Sequence, residues 1–298
     1  MQNKLYKSNN LGKKILAGSY LGLVFLFLYL PIFILIIFSF NSSKARGHWT
    51  GFSLRWYKEL FFDSTIISSL TNTLLIACVA TVIATLLGTF AAIGLYYMHH
   101  KERRLIMAFN QIPILNPDIV TAISLMVIFR LFKLQLGLFS LTLAHVIFLI
   151  PYVLLSIMPS LNKMERSLPE AALDLGATPS QCVYKVIIPQ IQPAILQAAL
   201  LAFTLSIDDF VISFFTTGNG VNTVSTHVFS MTKRGINPVI NALSTIMFIM
   251  TLALLIIINY RTSLRKDASK LASDELALID PDMTDSQANT LDTEVKNA

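Results

Sequence analysis

The sequence is poor in charge and in cysteine, and both shortages limit what the chain can be. Only 13% of its 298 residues are charged, 54% are hydrophobic, and the mean hydropathy is +0.63. A soluble domain needs a polar shell that this composition does not supply, so the chain belongs in a bilayer. The two cysteines, Cys78 in an apolar run and Cys182 in a polar one, give no basis for a disulfide framework or a metal site.

Motifs for binding nucleotides and nucleic acids are also missing. No Gly-x-x-x-x-Gly-Lys-Ser/Thr loop occurs, so the chain cannot bind nucleotide in that manner. The net charge is +6, but the basic residues are scattered at the ends of apolar runs, a pattern that indicates membrane orientation and no nucleic acid. Because an intramembrane enzyme would also need a nucleophile with its base or a metal cluster, we predict a non-catalytic protein that binds no cofactor directly.

Six apolar runs are long enough to cross a hydrocarbon core, which takes about 20 helical residues. They predict an all-α, polytopic membrane protein. A retained first span, rather than a signal peptide, follows a short N-terminus at 1–14, and the transmembrane domain covers 15–262. The tail at 263–298 is polar and acidic and is expected to be disordered. The predicted spans are 15–40, 66–98, 105–131, 138–160, 191–215 and 239–260.

The distribution of lysine and arginine predicts the orientation of these spans. Six spans place both termini on one side, and cytoplasmic loops carry an excess of basic residues. With the termini in the cytoplasm, four basic residues lie at the N-terminus, three after the second span, three around segment 163–190 and five at the C-terminus, against seven outside. We therefore predict cytoplasmic termini and a cytoplasmic segment 163–190.

Segment 163–190 is a polar interruption with the signals of two short helices joined by a sharp turn. Ser167 and Glu170 have the spacing of a capping box at the start of the first helix. Gly176 supplies a left-handed stop.

The same signals then repeat in the second half of the segment. Thr178 and Gln181 have the spacing of a second box around Pro179, and the second helix is expected to end at Pro189. Small side chains leave the first helix with a thin face that another protein can approach closely: Ala171, Ala172 and Ala177. A docking element and an ordinary helical hairpin between two spans are both compatible with these signals.

This segment resembles the EAA loop of permease subunits in ATP-binding-cassette importers. Five residues match that motif in register, namely Glu170, Ala171, Ala172, Gly176 and Pro189. Val186 and Ile188 stand where the pattern prefers Ile and Leu. In that family the loop is cytoplasmic and inserts into a groove on the ATPase subunit, so the resemblance implies that these five residues couple the chain to a separate motor.

A wider resemblance, over nearly all of residues 15–262, is to the spermidine/putrescine branch of these permeases. It is carried by SFNSS with GFSLRWY after the first span, by PDIVTAISL, by FTLSIDDFVISFFTTG and by NALST. The resemblance implies the type I importer permease fold in the inner membrane. It also implies four kinds of partner: a homologous second permease subunit, two ATP-binding-cassette subunits that hold ATP and Mg²⁺, an extracytoplasmic polyamine-binding protein and membrane lipid.

Three acidic residues within apolar spans are the candidate substrate contacts: Asp118, Asp208 and Asp209. A charged Asp at the bilayer centre costs roughly 2.5–3.5 kcal/mol, so such residues usually face a water-filled path and have a partner. No lysine lies at comparable depth, which favours a cationic cargo, and Trp56 is a candidate for a cation–π contact. The structural alternatives are that Asp208 or Asp209 caps a broken helix, that Trp56 is an interfacial anchor, and that His145 serves helix packing.

Two functions are compatible with these features. The first is a membrane subunit that forms half of the path of an ATP-driven polyamine importer. The alternative is an ion-coupled secondary carrier for an organic cation that uses the intramembrane aspartates as a relay. Such carriers often contain inverted repeats, and we find none convincing across the six spans, so we favour the importer subunit.

Overall fold

The computed structural model describes residues 2–43, 48–234, 238–253, 255 and 256, and within them the chain is helical. One isolated bridge, Asn41 to Phe52, is the only extended pairing in these residues. The helices are α1 Gln2–Ser39, α2 Arg55–Phe62, α3 Ser64–Tyr97, α4 His100–Leu115, α5 Asp118–Leu131, α6 Leu138–Lys163, α7 Ser167–Asp174, α8 Pro179–Cys182, α9 Ile188–Asp208, α10 Val211–Thr216, α11 Val224–Arg234 and α12 Val239–Ala253.

Four helical runs are long and apolar enough to cross a membrane. They are Gly18–Ser39 within α1, Ser64–Tyr97, Leu138–Lys163 and Pro179–Asp208. These runs correspond to the predicted first, second, fourth and fifth spans. The first three of these runs begin and end within three residues of the predicted bounds. The Pro179–Asp208 run starts twelve residues before the predicted fifth span at 191.

The predicted third span is not a single long helix, and the predicted sixth span is described only in part. At 105–131 the chain forms α4 and α5, which meet at an angle of 104° across Asn116 and Pro117. Proline disfavours a helical conformation in the residue before it, and Asn116 is indeed extended, with ψ of 146°. Helix α12 begins at Val239, the predicted start of the sixth span, and its described part is shorter than a membrane span; the predicted end at 260 and the whole tail 263–298 lie outside the described residues.

The described residues fall into two compact units, one within Met1–Ile67 and Ser230–Met250 and the other within Ser68–Phe229 and Thr251–Ala298. In the first unit, the side chain of Asn41 organises the segment after α1. Its amide donates to the carbonyl of His48 at 2.7 Å, and its oxygen accepts the N–H of Thr50 at 3.0 Å.

The second unit is built around α6, which packs against α4, α5, α9 and α10. Its buried residues join those of α3 and α9 in one apolar cluster. The crossing of α3 and α6 depends on Gly88, because a Cβ there would lie 2.5 Å from Cγ1 of Val153. α6 therefore holds together both elements that carry the candidate functional residues, the segment 163–190 and the end of α9.

Candidate coupling and translocation sites

The turn between α7 and α8 is closed by local hydrogen bonds. Gly176 has a φ of +90°, its N–H donates to the carbonyl of Leu173 at 2.9 Å, and the N–H of Ala177 donates to that of Ala172 at 3.0 Å. Glycine adopts this left-handed conformation without steric cost. The predicted stop at Gly176 is confirmed.

Of the two predicted capping boxes, only the second is present. The Thr178 hydroxyl accepts the N–H of Gln181 at 3.3 Å, and the Gln181 side chain accepts the N–H of Thr178 at 3.0 Å. The prediction for Ser167 and Glu170 is wrong, because Arg166 is already helical, with φ of −68° and ψ of −26°, and no side chain caps α7. Ser167 therefore lies inside the first turn, where its hydroxyl is not in the capping position.

The second helix of the segment does not end at Pro189 but continues as one helical run to Asp208. Residues Val183–Ile187 form a π-helical turn in which the N–H of Ile188 donates to the carbonyl of Val183, five residues earlier. This wider turn lets the helix continue past Pro189, which has no N–H to donate. The result is one helical run, Pro179–Asp208, that joins the polar segment directly to the candidate acids.

The motif residues of segment 163–190 are largely open to a partner. Glu170, Ala171 and Gly176 are exposed, and no basic side chain of the described residues pairs with Glu170. Leu175 is 89% exposed at the tip of the turn. Underneath, buried Cys182 lies 3.7 Å from the carbonyl of Pro169 and so holds α7 against α8. A braced hairpin with an exposed apolar tip and a free carboxylate is suited to docking.

A second polar site lies where α9 ends within the apolar part of the chain. Asp208 is the last residue of α9 and is exposed, and no cation of the described residues lies within ion-pair distance of it. Asp209 is extended, with ψ of 127°, and its side chain is 7% exposed. Its two carboxylate oxygens accept the N–H groups of Ile212, at 3.2 Å, and Ser213, at 2.7 Å. Asp209 therefore caps α10, which is the structural alternative considered for this pair.

A buried histidine from α6 bridges the two sides of this break. His145 Nδ1 lies 2.8 Å from Oγ of Ser206 in α9, and Nε2 lies 3.1 Å from Oγ of Ser213 in α10. The same Nε2 is 3.5 Å from Oδ2 of Asp209. His145 is 1% exposed, which agrees with the expected packing role. Its ring nitrogens also form a buried polar network with these side chains.

Asp118 lies at another interruption, as the first residue of α5 after the bend with α4. Its side chain is exposed, and no cation of the described part of the chain pairs with it. Because α5 packs against α10, the helix that begins with Asp118 and the helix capped by Asp209 are neighbours in one unit.

Trp56 belongs to the other unit and is fully buried there. Its Nε1 donates to the carbonyl of Asn41 at 2.6 Å, and the Arg55 guanidinium lies 5.3 Å from the centre of its ring. This burial favours the anchoring alternative over direct contact with a substrate. A pathway role for Trp56 stays a prediction from the sequence.

The sequence interpretation missed Ser206 and Ser213 as partners of His145. They lie 61 and 68 residues from it along the chain, so no local pattern relates them. The break itself had one local signal, since an Asp that precedes an apolar turn is a common helix cap.

The comparison with family models decides what kind of protein this is. Residues 84–262 match the family described as the inner membrane component of binding-protein-dependent transport systems. The chain belongs to this family. As an inner membrane component it is a multi-pass membrane protein, and the predicted permease subunit, rather than an enzyme, is confirmed. Membership also favours the importer subunit over the ion-coupled carrier.

Individual relatives cover most of this inner membrane component. It is 38% identical over 242 residues to the spermidine/putrescine transport system permease protein PotC of Haemophilus influenzae, which covers 81% of this chain and 94% of PotC. It is 42% identical over 229 residues to the putrescine transport system permease protein PotI of Escherichia coli K12, which covers 74% of this chain and 82% of PotI. The predicted resemblance to this branch is confirmed.

A solved structure supports the fold class. A chain of a bacterial ABC transporter involved in the import of the polysaccharide alginate superposes with a TM-score of 0.70. The match covers 87% of this chain and 98% of the other at 14% identity. The predicted all-α importer permease fold is confirmed. The described residues hold four helical runs long enough to be spans, or five with the bent pair, together with the shorter apolar helix α12.

Proposed function

We propose that this inner membrane component is one of two permease subunits of an ATP-driven polyamine importer and forms half of its path. The observation that carries the proposal is the helical run Pro179–Asp208, which joins an exposed docking hairpin to an unpaired intramembrane carboxylate. Movement of the hairpin by the ATPase can thereby be transmitted along one helix to the carboxylate of Asp208, which attracts cations. The two relatives that are named for spermidine and putrescine transport support the choice of cargo.

For the path, we assign the cationic cargo to Asp208 and Asp118. Both carboxylates are exposed, and both lie at helix interruptions, where a polyamine ammonium group can replace the missing counter-ion. Asp209 contributes through the cap that holds α10, because both of its oxygens are already occupied by backbone N–H groups.

For coupling, we assign docking of the ATPase to Glu170, Ala171, Ala172 and Gly176. The carboxylate of Glu170 offers a charge to the partner, and the exposed Ala171 allows a close approach. Ala172 is half-buried and packs the helix onto the apolar cluster beneath it, and Gly176 sets the turn. Pro189 lies farther along, next to the π-helical turn, and belongs to the connection rather than to the docking surface.

The proposal requires partners on both sides of the membrane. Two ATP-binding-cassette subunits hold ATP and Mg²⁺ in the cytoplasm, a second permease completes the path, and an extracytoplasmic binding protein delivers the polyamine. The excess of basic residues around 163–190 and at the two ends of the chain supports cytoplasmic termini.

Uptake of labelled putrescine and spermidine tests the proposal in cells that lack only this chain and are complemented with variants. Asp208→Asn is expected to abolish most uptake while the complex still assembles, since the substitution keeps the shape and removes the charge. Glu102→Gln is the matched control, because it removes an exposed carboxylate in the first turn of α4. Transport by this chain without ATP or partners, or full uptake by Asp208→Asn, would contradict the proposal.

A further inference from the structure

We propose that His145 is a positioning residue for transport: by binding both sides of the α9–α10 break, it fixes the direction of the Asp208 carboxylate. The inference rests on the proposed function, in which Asp208 meets the cargo. It gives a role to a buried polar network that neither the family assignment nor the docking hairpin explains.

The geometry of the break shows why a tie from a third helix is needed. Asp209 is extended, and its carboxylate accepts N–H groups of α10 and lies 3.5 Å from Nε2 of His145, but none of these contacts is with α9. That cap completes α10 but does not fix its angle to α9. His145 contacts both helices and so fixes their angle, since one ring nitrogen lies next to Ser206 in α9 and the other next to Ser213 in α10.

The ring has a rigid anchor and a short distance to the residue that it positions. His145 is 1% exposed on α6, the helix around which this unit packs, and Ser206 lies two residues before Asp208. All three bonded side chains are buried, with Ser206 at 3% and Ser213 at 1% exposure. Water therefore does not replace the imidazole when the ring is removed, and the angle between α9 and α10 is no longer fixed by hydrogen bonds.

An imidazole suits this position because its two nitrogens can serve two hydroxyl groups at once. In the neutral ring one nitrogen donates and the other accepts, and a serine hydroxyl can do either. A leucine of similar bulk would leave two buried hydroxyls without partners. A glutamine amide, with one donor and one acceptor end, retains the bonding capacity and serves as the conservative variant.

The chain offers a matched control on the same pair of helices. Oγ of Ser140 lies 3.0 Å from the carbonyl of Thr216, so it also ties α6 to α10, but at the end of α10 far from the break. Ser140→Ala removes this buried bond, together with the contacts of the hydroxyl to Gly137 at the start of α6, without touching the tie to α9. A loss that reflects packing alone would appear in both variants.

The test measures uptake kinetics in the complete transporter and, separately, the position of residue 208. We expect His145→Leu to raise the KM for putrescine or spermidine about tenfold at normal membrane levels, a modest loss for a misplaced contact. His145→Gln should recover most of the affinity, and Ser140→Ala should stay near the parent value. If His145→Leu does not accumulate, Ser206→Ala and Ser213→Ala each cut one side of the tie and should each raise the KM.

Thiol labelling of Asp208→Cys in the assembled complex gives a readout that does not need transport. Mass spectrometry of the peptide with residue 208 separates this label from Cys78 and Cys182. The labelling rate is expected to change at least threefold when His145→Leu is added and to stay constant with Ser140→Ala. Unchanged labelling and KM in His145→Leu, or equal effects of Ser140→Ala, would overturn the inference. Absence of polyamine uptake by the parent would instead contradict the proposed function, and the labelling comparison would still stand.

Discussion

The crossing of α3 and α6 at Gly88 allows a stability prediction with an internal reference. A Cβ at Gly88 would lie 2.5 Å from Cγ1 and 2.9 Å from Cβ of Val153. Val153 is fully buried and β-branched, so it cannot turn away easily. Gly88→Ala therefore forces the two helices apart.

The magnitude follows from two opposing terms. Inserting a methyl group into a packed core costs about 1–3 kcal/mol, and Ala gains about 1 kcal/mol over Gly in helix propensity. Gly94→Ala provides the reference on the same helix, because nothing lies within 4 Å of a Cβ at that position. The propensity gain cancels between the two variants, so Gly88→Ala should be about 1–3 kcal/mol less stable than Gly94→Ala.

A thiol-reactive dye can follow the unfolding of this subunit in the purified transporter. Cys182 is 2% exposed and becomes reactive on unfolding, and a Cys78→Ser background leaves it as the single reporter thiol of this chain. With about 2–4 °C for each kcal/mol, the apparent melting temperature of Gly88→Ala should lie several degrees below that of Gly94→Ala.

Combining Gly88→Ala with Val153→Ala gives a second check of the same contact. The double variant loses the nearer atom of Val153 and should be more stable than the sum of the two single effects implies. Equal melting temperatures for Gly88→Ala and Gly94→Ala, or strict additivity in the double variant, would refute the close crossing.

Three further predictions concern the coupling and translocation sites. Glu170→Lys should reduce recovery of the ATPase with the permease in pull-downs and slow uptake at least tenfold, while membrane insertion is unchanged. Asp209→Ala should destabilise the chain by about 2 kcal/mol through loss of the α10 cap, and Asp209→Asn by about half as much, as measured by dye-monitored melting. Gly218→Ala should lower the melting temperature more than Gly220→Ala, because both positions have positive φ but only a Cβ at Gly218 would meet the backbone carbonyl of Leu136.

Local chemistry explains which features the sequence could predict. Gly176 and the Thr178–Gln181 box act within one turn of helix, so their residue types were sufficient. The prediction at Ser167 was wrong because Arg166 already has helical dihedral angles, so α7 begins earlier than a capping box at Ser167 and Glu170 requires. The apolar runs predicted the residues at which helices α6 and α12 begin, Leu138 and Val239.

Features that depend on contacts between distant parts of the chain could not be predicted from local sequence patterns. A proline predicts the end of a helix, and only the π-helical turn before Pro189 shows that the helix continues. Within the apolar run at 191–215 only the two aspartates indicated a break, and its contacts to His145 from another helix could not be predicted. Asp208 and Asp209 have the same chemistry in the sequence, and the contacts of Asp209 alone distinguish them.

The length of the Pro179–Asp208 run determines how far the hairpin stands from the lipid. Thirty residues at 1.5 Å each make a rod of about 45 Å, whereas the hydrocarbon layer is about 30 Å thick. Because Asp208 is proposed to lie within the membrane, at least about a third of an untilted rod projects beyond the acyl chains, and the polar sequence at its Pro179 end identifies the projecting part. The hairpin thus lies at the end of helical turns that project beyond the lipid tails, where a water-soluble protein can bind it without entering the bilayer.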